Sequence, residues 1–459
     1  MRKAVHLDEL PYRRDSSEMF ERIRELPGAA LLDSSFPLST AGRYDILTAG
    51  PVDQVAPLPQ VSSEDSSREF FKDLGRYHRE HYAGIQPVSQ DIPFCGGILG
   101  YIGYDFGNTL NGVGSRPSGL PLPANVIPAV HLQAYNWCVI QDHLLRRATL
   151  VCQPGVSPVV RGDLLARFRS EWAPQPADFS LTEKFASNLT ETGYKAAFDR
   201  IQAYIQAGDC YQVNLAQRFS TRYRGDPWYA YRALRGVAAA PFSAYLALAD
   251  GNAVISLSPE RFLSLHGHHV ETAPIKGTRP RHSDPDADRQ AVRDLRASQK
   301  DRAENLMIVD LLRNDLGRSC VPGSIIVDRL FEVQSLATVH HLVSTISGEL
   351  RSDRNAAQLL CESFPGGSIT GAPKRRAMQI IRELEPDTRQ VYCGSLLYIS
   401  ADGRMDSNIA IRTLLCSEGD IHCWAGGGIV ADSDWQQEFQ ETYHKVGSFL
   451  DTLEKLSGF

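Results

Sequence analysis

The stretch Glu271-Thr272-Ala273-Pro274-Ile275-Lys276-Gly277-Thr278-Arg279-Pro280 is the part of the sequence around which the fold and the chemistry are organised. Residues 261–265 and 270–272 predict two strands joined by a histidine-rich turn. Pro274 has no backbone N–H to give to a central ladder, so the second strand is expected to end or bulge there. Lys276 stands beside Gly277, where the backbone can pass close to a ligand. Partial desolvation would favour the neutral, nucleophilic form of Lys276; the alternative is a solvated lysine in a surface turn.

The composition is that of a soluble globular protein. The chain has 459 residues, of which 22% are charged and 42% hydrophobic. The net charge of −6, without long runs of either sign, gives no reason to expect nucleic acid or a membrane as partner. The start of the chain lacks the apolar segment of a secretory signal. The nine cysteines are scattered and never spaced as C-x-x-C, so a cytoplasmic location is expected.

The order of segments along the chain predicts antiparallel or mixed sheets with helices outside, because strand-like runs outnumber helices and mostly neighbour one another. A proline-bearing, irregular stretch places a linker at residues 156–188, between an N-terminal region (1–155) and a second region (189–455). Helices are expected at 287–315 and 435–456, and Thr192 is expected to cap another helix. Residues 337–347 are expected to form a strand.

Two of the predicted helices each present carboxylates on one face of the helix. Asp301 and Glu304 lie on the first, whereas Glu438 and Glu441 lie on the second with Lys445 one turn later. Mg²⁺ takes one or two carboxylates and keeps waters for a substrate oxygen, so two such helices could hold it. A solvated helix edge is the alternative. The spacing alone does not say that the helices meet.

Glycine-rich segments and one arginine offer places for an anion. Residues 365–374 superficially resemble a phosphate loop but fail the Walker pattern, although amides at the following helix start would still favour an anion. Gly426 and Gly428 follow a predicted strand and offer a second backbone surface. Arg412 is a candidate bidentate clamp for a carboxylate. Tight turns and a surface arginine are the alternatives.

His341 follows His340 in an apolar strand, which places one imidazole on each face. A core histidine with a satisfied hydrogen bond is the alternative to a functional one. No Ser/His/Asp triad or cysteine elbow for glutamine hydrolysis is evident in the sequence.

Six segments in order resemble the chorismate-utilising enzymes, the family of the anthranilate, aminodeoxychorismate and isochorismate synthases. The segments are Ser258-Pro259-Glu260-Arg261-Phe262, Pro274-Ile275-Lys276-Gly277-Thr278-Arg279, Glu304-Asn305-Leu306-Met307-Ile308-Val309-Asp310-Leu311, His341-Leu342-Val343-Ser344, Gly371-Ala372-Pro373-Lys374 and Gly428-Ile429-Val430-Ala431-Asp432-Ser433. The resemblance implies an α/β (α+β) fold, a large sandwich of two packed antiparallel or mixed β-sheets with helices on the outside.

Two positions distinguish the branches of this family. Lys276 is typical of the aminodeoxychorismate synthases, whereas anthranilate and isochorismate-type enzymes carry alanine there. Isochorismate- and salicylate-forming relatives have a lysine base where this chain has Gln212. The resemblance therefore implies amination of chorismate to 4-amino-4-deoxychorismate, on the route to 4-aminobenzoate and folate. An anthranilate synthase large subunit is the alternative, and a catalytically silent subunit of an amidotransferase complex is a second.

The resemblance also implies site residues and the cofactor Mg²⁺. The implied catalytic residues are Lys276, which attacks C2 of chorismate, Glu260, which protonates the departing C4 hydroxyl, and His341. The implied substrate-binding residues are Arg412, Tyr392, Gly426, Gly428, Lys445, Thr278 and Ser368. The implied Mg²⁺ ligands are Glu304, Glu441 and Glu438. Ammonia would then add at C4 and expel the lysine.

Two further expectations concern partners. The sequence contains no glutaminase segment, so ammonia should arrive from a separate glutamine amidotransferase subunit or from solution. The residues that match the tryptophan pocket of related enzymes are Ser34, Gly42, Arg43, Tyr44, Phe242 and Ser243.

Overall fold

The computed structural model describes residues 4–39, 42–55, 63–85, 88–114, 127–171, 178–336 and 339–459. Within these residues the strands form two large sheets, one of thirteen strands and one of ten, and every pair is antiparallel. One apolar core contains residues from both sheets, for example Ile46 from one and Ile98 from the other. The predicted α/β (α+β) sandwich of two packed antiparallel sheets is confirmed.

The elements are numbered in chain order. The strands are β1 (His6–Leu10), β2 (Ala30–Asp33), β3 (Tyr44–Thr48), β4 (Asp53–Gln54), β5 (Gly97–Ile102), β6 (Val130–Tyr135), β7 (Trp137–Asp142), β8 (Arg147–Cys152), β9 (Phe179–Leu181), β10 (Ala186–Ser187), β11 (Gln212–Gly225), β12 (Phe242–Ala247), β13 (Ala253–Ser258), β14 (Arg261–His266), β15 (His269–Ala273), β16 (Ile275–Pro280), β17 (Ile326–Ser335), β18 (Val339–Glu349), β19 (Gly371–Ala372), β20 (Ser395–Ser400), β21 (Met405–Asn408), β22 (Thr413–Ser417) and β23 (Asp420–Ile429). The helices are α1 (Ser17–Phe20), α2 (Glu64–Tyr82), α3 (Tyr104–Leu110), α4 (Pro158–Arg169), α5 (Glu191–Gln206), α6 (Pro227–Val237), α7 (Pro285–Ala297), α8 (Gln299–Gly317), α9 (Ala356–Ser363), α10 (Lys374–Leu384) and α11 (Trp435–Leu456).

Strands from early and late parts of the chain alternate within both sheets. The larger sheet runs β1-β8-β7-β3-β2-β12-β13-β22-β23-β11-β10, with β9 and β19 also on β11. The smaller runs β16-β18-β15-β14-β21-β20-β5-β6-β4, with β17 on β18. The segments on either side of the predicted linker therefore share both sheets. The division at residues 156–188 stays a prediction, and residues 172–177 of it lie outside the described residues.

The larger sheet is buried on both faces, because helices cover the side that does not face the other sheet. Strand β7 shows this directly. Cys138 and Ile140 belong to the core between the sheets, whereas Trp137 and Val139 belong to a second core that includes residues of α1, α6 and α11. Successive side chains of a strand point to opposite faces, so an uninterrupted apolar run is what a doubly covered strand requires.

Several local predictions are confirmed. Strand β15 ends at Ala273, immediately before Pro274. Strands β7 and β8 form the predicted hairpin, and α11 spans the expected residues 435–456. None of the helices in the described part of the chain is long and apolar enough to cross a bilayer.

Other local predictions are wrong in their boundaries. The helix expected at 287–315 is two helices, because Ser298 has an extended backbone and its side chain caps α8 by accepting from the amide of Asp301. Thr190, not Thr192, caps α5. Gly426 and Gly428 lie within β23 instead of after a strand. The strand expected at 337–347 is β18, and residues 337–338 lie outside the described residues.

Candidate active site

A cavity of about 740 Å³ lies between the two sheets and two helices. Strands β16 and β18 supply walls from the smaller sheet, β11 and β23 from the larger sheet, and α8 and α11 complete the lining. Every residue expected to act on chorismate, bind it or hold Mg²⁺ lines this cavity. These residues are Lys276, Glu260, His341, Arg412, Tyr392, Gly426, Gly428, Lys445, Thr278, Ser368, Glu304, Glu441 and Glu438. The structure thus brings together segments that the sequence separates by more than 180 positions.

Lys276 is directed into the cavity by an irregularity in its strand. The pairing of β16 with β18 shifts register between Ile275 and Thr278, which leaves Lys276 and Gly277 at a bulge. Gly277 has φ of 85°, and a Cβ there would lie 2.9 Å from the Asp301 side chain. Glycine is required by both the backbone angle and the space. The Lys276 Nζ donates a hydrogen bond of 3.0 Å to the Ser368 carbonyl oxygen.

Glu260 lies where the chain crosses from one sheet to the other, between β13 and β14. It is only 4% exposed. Burial raises the pKa of this carboxyl, against the opposing effects of a hydrogen bond from the Ser368 side chain and the nearby Lys276 charge. A carboxyl that holds its proton to higher pH suits a general acid.

His341 is a neutral imidazole in this site. Burial, and next the positive charge of Arg412, lower the pKa of His341 to about 3. Its Nδ1 lies 2.9 Å from the Thr278 hydroxyl. Its buried Nε2 has no hydrogen-bond partner among the described residues. The ring therefore offers one unused nitrogen to a ligand without carrying a charge.

Arg412 occupies a second crossover between the sheets, from β21 to β22. Its φ of 49° is unusual for a non-glycine residue, and such backbone strain collects at functional sites. The amide of Leu257 donates to its carbonyl oxygen at 3.0 Å, which ties the two crossovers together. Burial lowers the pKa of Arg412, and no carboxylate among the described residues contacts its guanidinium. A partly buried guanidinium without a carboxylate partner is suited to an anionic ligand.

Tyr392 forms another wall beside this arginine. It is 3% exposed and its ring stacks against Trp424 at a centroid distance of 6.2 Å. Gln390 and Cys393 on either side have φ of 49° and 62°, so this segment turns sharply to present the ring.

Three carboxylates line the same cavity, Glu304 from α8 and Glu438 and Glu441 from α11. Burial raises the pKa values of Glu304 and Glu438. Although burial also acts on Glu441, the Lys445 ammonium 2.6 Å away lowers the pKa of Glu441 overall. The two helices therefore present these groups to the same cavity.

The space between the carboxylates is kept open by a glycine. A Cβ at Gly427 would lie 2.8 Å from the Glu438 Oε2 and 3.8 Å from the Glu441 Oε1. The Lys300 ammonium lies 4.0 Å from Glu304 and 3.8 Å from Glu438. No group of three or more His, Cys, Asp or Glu side chains converges as a metal centre in the described ranges. The donor set of carboxylate oxygens fits Mg²⁺, which takes few protein ligands and keeps its waters.

Comparison with known proteins identifies the family. Residues 39–451 match the family described as chorismate binding enzyme. The chain belongs to this family. Aminodeoxychorismate synthase component 1 from Salmonella typhimurium is 44% identical over 458 residues, which cover 97% of each chain. The same-named protein from Escherichia coli is 44% identical over 456 residues, covering 97% of this chain and 98% of that one.

Solved structures of the chorismate-binding family share the fold. Anthranilate synthase component I from Streptococcus pneumoniae superposes with a TM-score of 0.74 at 28% identity, covering 90% of this chain and 93% of the other. The menaquinone-specific isochorismate synthase from Escherichia coli gives a TM-score of 0.73 at 20% identity, covering 99% and 95%. The second likeness concerns the fold alone.

A second cavity in this family member, of about 350 Å³, lies between β2, β3, β12 and the smaller sheet. All residues expected in a tryptophan pocket line it, namely Ser34, Gly42, Arg43, Tyr44, Phe242 and Ser243. Asp45 holds Ser34 in place, since its Oδ1 accepts from the Ser34 amide at 2.7 Å and hydroxyl at 2.6 Å. What this cavity binds stays a prediction.

Several lining residues of the first cavity were not anticipated from the sequence. They are Asn214, Arg279, Ser298, Lys300, Trp424 and His444. Lys300 could have been predicted, because it precedes Glu304 by one helical turn and therefore lies on the same face of the helix. Asn214 could not have been predicted, because it lies inside a long strand and only the pairing of that strand decides which of its residues face the cavity.

Proposed function

We propose that this chain aminates chorismate at C4, giving 4-amino-4-deoxychorismate for the synthesis of 4-aminobenzoate and folate. This is the activity named for the relatives that are 44% identical over nearly the whole chain. The observation that carries the proposal is Lys276, held at a bulge inside the cavity with Glu260 and Arg412. Loss of oxygen and gain of nitrogen at the same carbon requires a temporary bond elsewhere on the ring, which a lysine amine can make.

Substrate binding follows from the charges that line the cavity. Chorismate carries two carboxylates, and Arg412 offers a partly buried guanidinium without a carboxylate partner in the described part of the chain. Lys445 also lines the cavity, and its ammonium contacts Glu441 and the Gly426 carbonyl oxygen. Mg²⁺ held by Glu304 and Glu441, with Glu438 nearby, would neutralise the ring carboxylate. His341 would add a neutral hydrogen-bonding nitrogen.

The first displacement uses Lys276 and Glu260. The amine of Lys276 forms a bond to C2, both ring double bonds shift, and the C4–O bond breaks. Hydroxide is a poor leaving group, so the Glu260 proton moves to it and water departs. The raised pKa of Glu260 keeps this proton available. The product of this step is a covalent adduct on Lys276.

The second displacement reverses the shift. Ammonia forms a bond to C4, both double bonds return to their original positions, and the C2–N bond to Lys276 breaks. The Glu260 carboxylate accepts a proton from the new ammonium group and is ready for the next turnover. Two allylic shifts thus place nitrogen on the carbon that lost oxygen.

The source of ammonia is proposed to be a separate glutaminase subunit. The relatives' name, component 1, implies a second component. The isolated chain, which we expect to act in the cytoplasm, should therefore use ammonium salts but not glutamine. Glutamine-dependent product formation by the pure chain would contradict this part of the proposal.

Product identification tests the proposed function as a whole. Purified chain is incubated with chorismate, Mg²⁺ and ammonium, and the product is separated and its nitrogen position assigned by NMR. We expect 4-amino-4-deoxychorismate. Fluorescent anthranilate as the main product would favour the second candidate, an anthranilate synthase; a protein named anthranilate synthase component 1 from Streptomyces coelicolor is 39% identical over 398 residues.

Occupation of the second cavity by tryptophan is a separate proposal. It is supported by a mixture of an apolar lining, including Leu32 and Phe242, with polar groups such as Asn408 at one end. An aromatic amino acid has the same division into a ring and a charged head.

A further inference from the structure

A buried arginine lies behind the wall of the first cavity. Arg389 is 1% exposed and forms a two-point ion pair with Glu385, with Nη2–Oε1 of 2.7 Å and Nε–Oε2 of 2.9 Å. Both carboxylate oxygens of Glu385 accept a hydrogen bond from Arg389. This geometry offsets much of the cost of burying two charges. Because the guanidinium is planar, fixing one edge of it fixes the directions of its remaining donors.

Those remaining donors reach two segments of the cavity wall. The Arg389 Nη1 donates to the Ile369 carbonyl oxygen at 3.0 Å, and Nη2 donates to the Asn214 carbonyl oxygen at 2.9 Å. The guanidinium also lies over the rings of Tyr104 and Tyr392, at 4.6 and 5.7 Å from their centroids. Ile369, Asn214 and Tyr392 all line the cavity, whereas Arg389 does not.

The carbonyl that Arg389 contacts belongs to Ile369, the residue directly after Ser368. Ser368 in turn contacts both reacting groups, Lys276 and Glu260. Ser368 accepts a hydrogen bond from Lys276 on its carbonyl oxygen and makes a side-chain hydrogen bond to Glu260. A displacement of the Ile369 carbonyl therefore moves the residue that contacts both the amine and the acid.

We propose that Arg389 is a positioning residue for the amination. Through Ile369 and Ser368 it sets the separation of the Lys276 amine from the Glu260 carboxyl, and through Asn214 and Tyr392 it sets the opposite walls. It does this without touching the substrate. The inference rests on the proposed function, because it concerns the geometry of that reaction.

Arg389→Lys separates positioning from charge. A lysine ammonium keeps the positive charge, but one nitrogen cannot replace a fork that reaches Glu385, Ile369 and Asn214 together. We expect kcat to fall by roughly 10- to 100-fold, as a small misplacement of reacting groups does. The KM for chorismate should change less than about threefold, because Arg412 and the carboxylates are untouched.

Arg404→Lys is the matched control. Arg404 is 8% exposed, pairs with Asp402 at 2.8 Å and donates to the Ser89 carbonyl oxygen at 2.9 Å. It does not line either cavity. Both variants weaken a buried ion pair, so both should lower the melting temperature. We expect a wild-type kcat for Arg404→Lys below that temperature.

The pH dependence of kcat is a second measurement, and a loss of stability alone would not change it. The Ser368 hydrogen bond and the Lys276 charge both lower the pKa of Glu260. Loosening the Ser368 hydrogen bond in Arg389→Lys should therefore raise that pKa and move the basic limb of the kcat profile to higher pH, by roughly half a unit or more. The profile is measured at constant free ammonia, and Arg404→Lys should keep the wild-type limb.

The outcomes distinguish this inference from the proposed function. Failure of the wild-type chain to aminate chorismate would overturn both. Normal amination by the wild type, with an unchanged kcat and pH profile in Arg389→Lys, would overturn the positioning role only. Should Arg389→Lys not fold, Glu385→Gln weakens the same pair and is measured by the same criteria. A wild-type kcat and pH profile in that variant would equally overturn the positioning role.

Discussion

The first and second cavities contain similar residue types but differ in how their charges are paired. In the second cavity, Arg43 donates to Asp142 and Asp91, and Arg261 pairs with Asp406. In the first cavity, the Arg412 guanidinium contacts no carboxylate among the described residues. The charges of the second cavity are thus already neutralised within the protein, whereas a charge of the first is left for a ligand.

The difference separates a reaction site from a binding site. An unpaired buried charge costs stability, so it is expected where the charge acts on a substrate. The first cavity also places a nucleophile, an acid and a neutral imidazole together, namely Lys276, Glu260 and His341. Changes in the first cavity should therefore alter turnover, and changes in the second should alter occupancy or stability.

Lys276→Ala should give the largest effect and acts only on the first cavity. Removing the amine abolishes the first displacement, so formation of 4-amino-4-deoxychorismate should fall by roughly 1,000-fold or more. Ammonia can then reach C2, so residual product should carry nitrogen at C2. Product analysis by chromatography and NMR measures both. Near-normal formation of the C4 product would remove the covalent role of Lys276.

Glu304→Gln and Glu441→Gln should give the next largest effect. Each change removes a hard anionic ligand while keeping the side-chain size. The Mg²⁺ concentration for half-maximal activity should rise by about 10- to 100-fold. Direct calorimetric titration with Mg²⁺ gives a readout independent of activity. Titration curves equal to the wild type's in both variants would rule out the ligand assignment.

The pH dependence should be set by Glu260 and not by His341. Burial raises the pKa of Glu260, so its protonated form persists to higher pH than that of an ordinary carboxyl. At constant free ammonia, kcat should fall as pH rises through this pKa. The pKa of His341 near 3 places its titration below the assay range. A His341→Asn variant whose profile differs in shape from the wild type's would contradict the neutral imidazole.

Lys300→Gln should have a smaller effect, in the opposite direction to the carboxylate changes. The Lys300 ammonium lies within 4.0 Å of Glu304 and Glu438 and competes with a metal ion for them. Removing this half-exposed charge should tighten Mg²⁺ binding by roughly two- to threefold. Calorimetric titration measures the change. Weaker Mg²⁺ binding in the variant would show that Lys300 supports the site.

Tryptophan should act only on the second cavity, and its effect should be the smallest. A ligand that binds the folded chain raises the melting temperature by mass action, here by a few degrees. Phe242→Ala removes an aromatic wall and should reduce this rise without changing kcat. Thermal unfolding with and without L-tryptophan tests this. An equal rise in the variant would place the ligand elsewhere.

The sequence predicted elements and motifs better than it predicted their assembly. Pro274 ends β15 and the 435–456 helix is present, because both depend on local backbone chemistry. The break at Ser298 was missed, since a helical pattern continues across a residue that caps the second helix. Boundaries of this kind depend on competing local hydrogen bonds.

The site could be predicted as a list of residues but not as a geometry. Glu260 and Arg412 lie at two crossovers between the sheets, and the pairing of β13 with β22 brings these crossovers together. That pairing joins segments far apart in sequence, so no local sequence pattern predicts it. Arg389 was missed for the same reason, because its partners Ile369 and Asn214 come from distant segments.

The central claim is that Lys276 bonds to the substrate during turnover, and mass spectrometry tests it most directly. Wild-type chain and Lys276→Ala are each mixed with chorismate and Mg²⁺ without ammonia, quenched, and analysed as intact protein and after digestion. The account predicts a wild-type adduct with the mass of chorismate less one water, on the peptide that contains Lys276. It predicts none on Lys276→Ala. An unmodified wild-type chain that forms the C4 product when ammonium is added would contradict it.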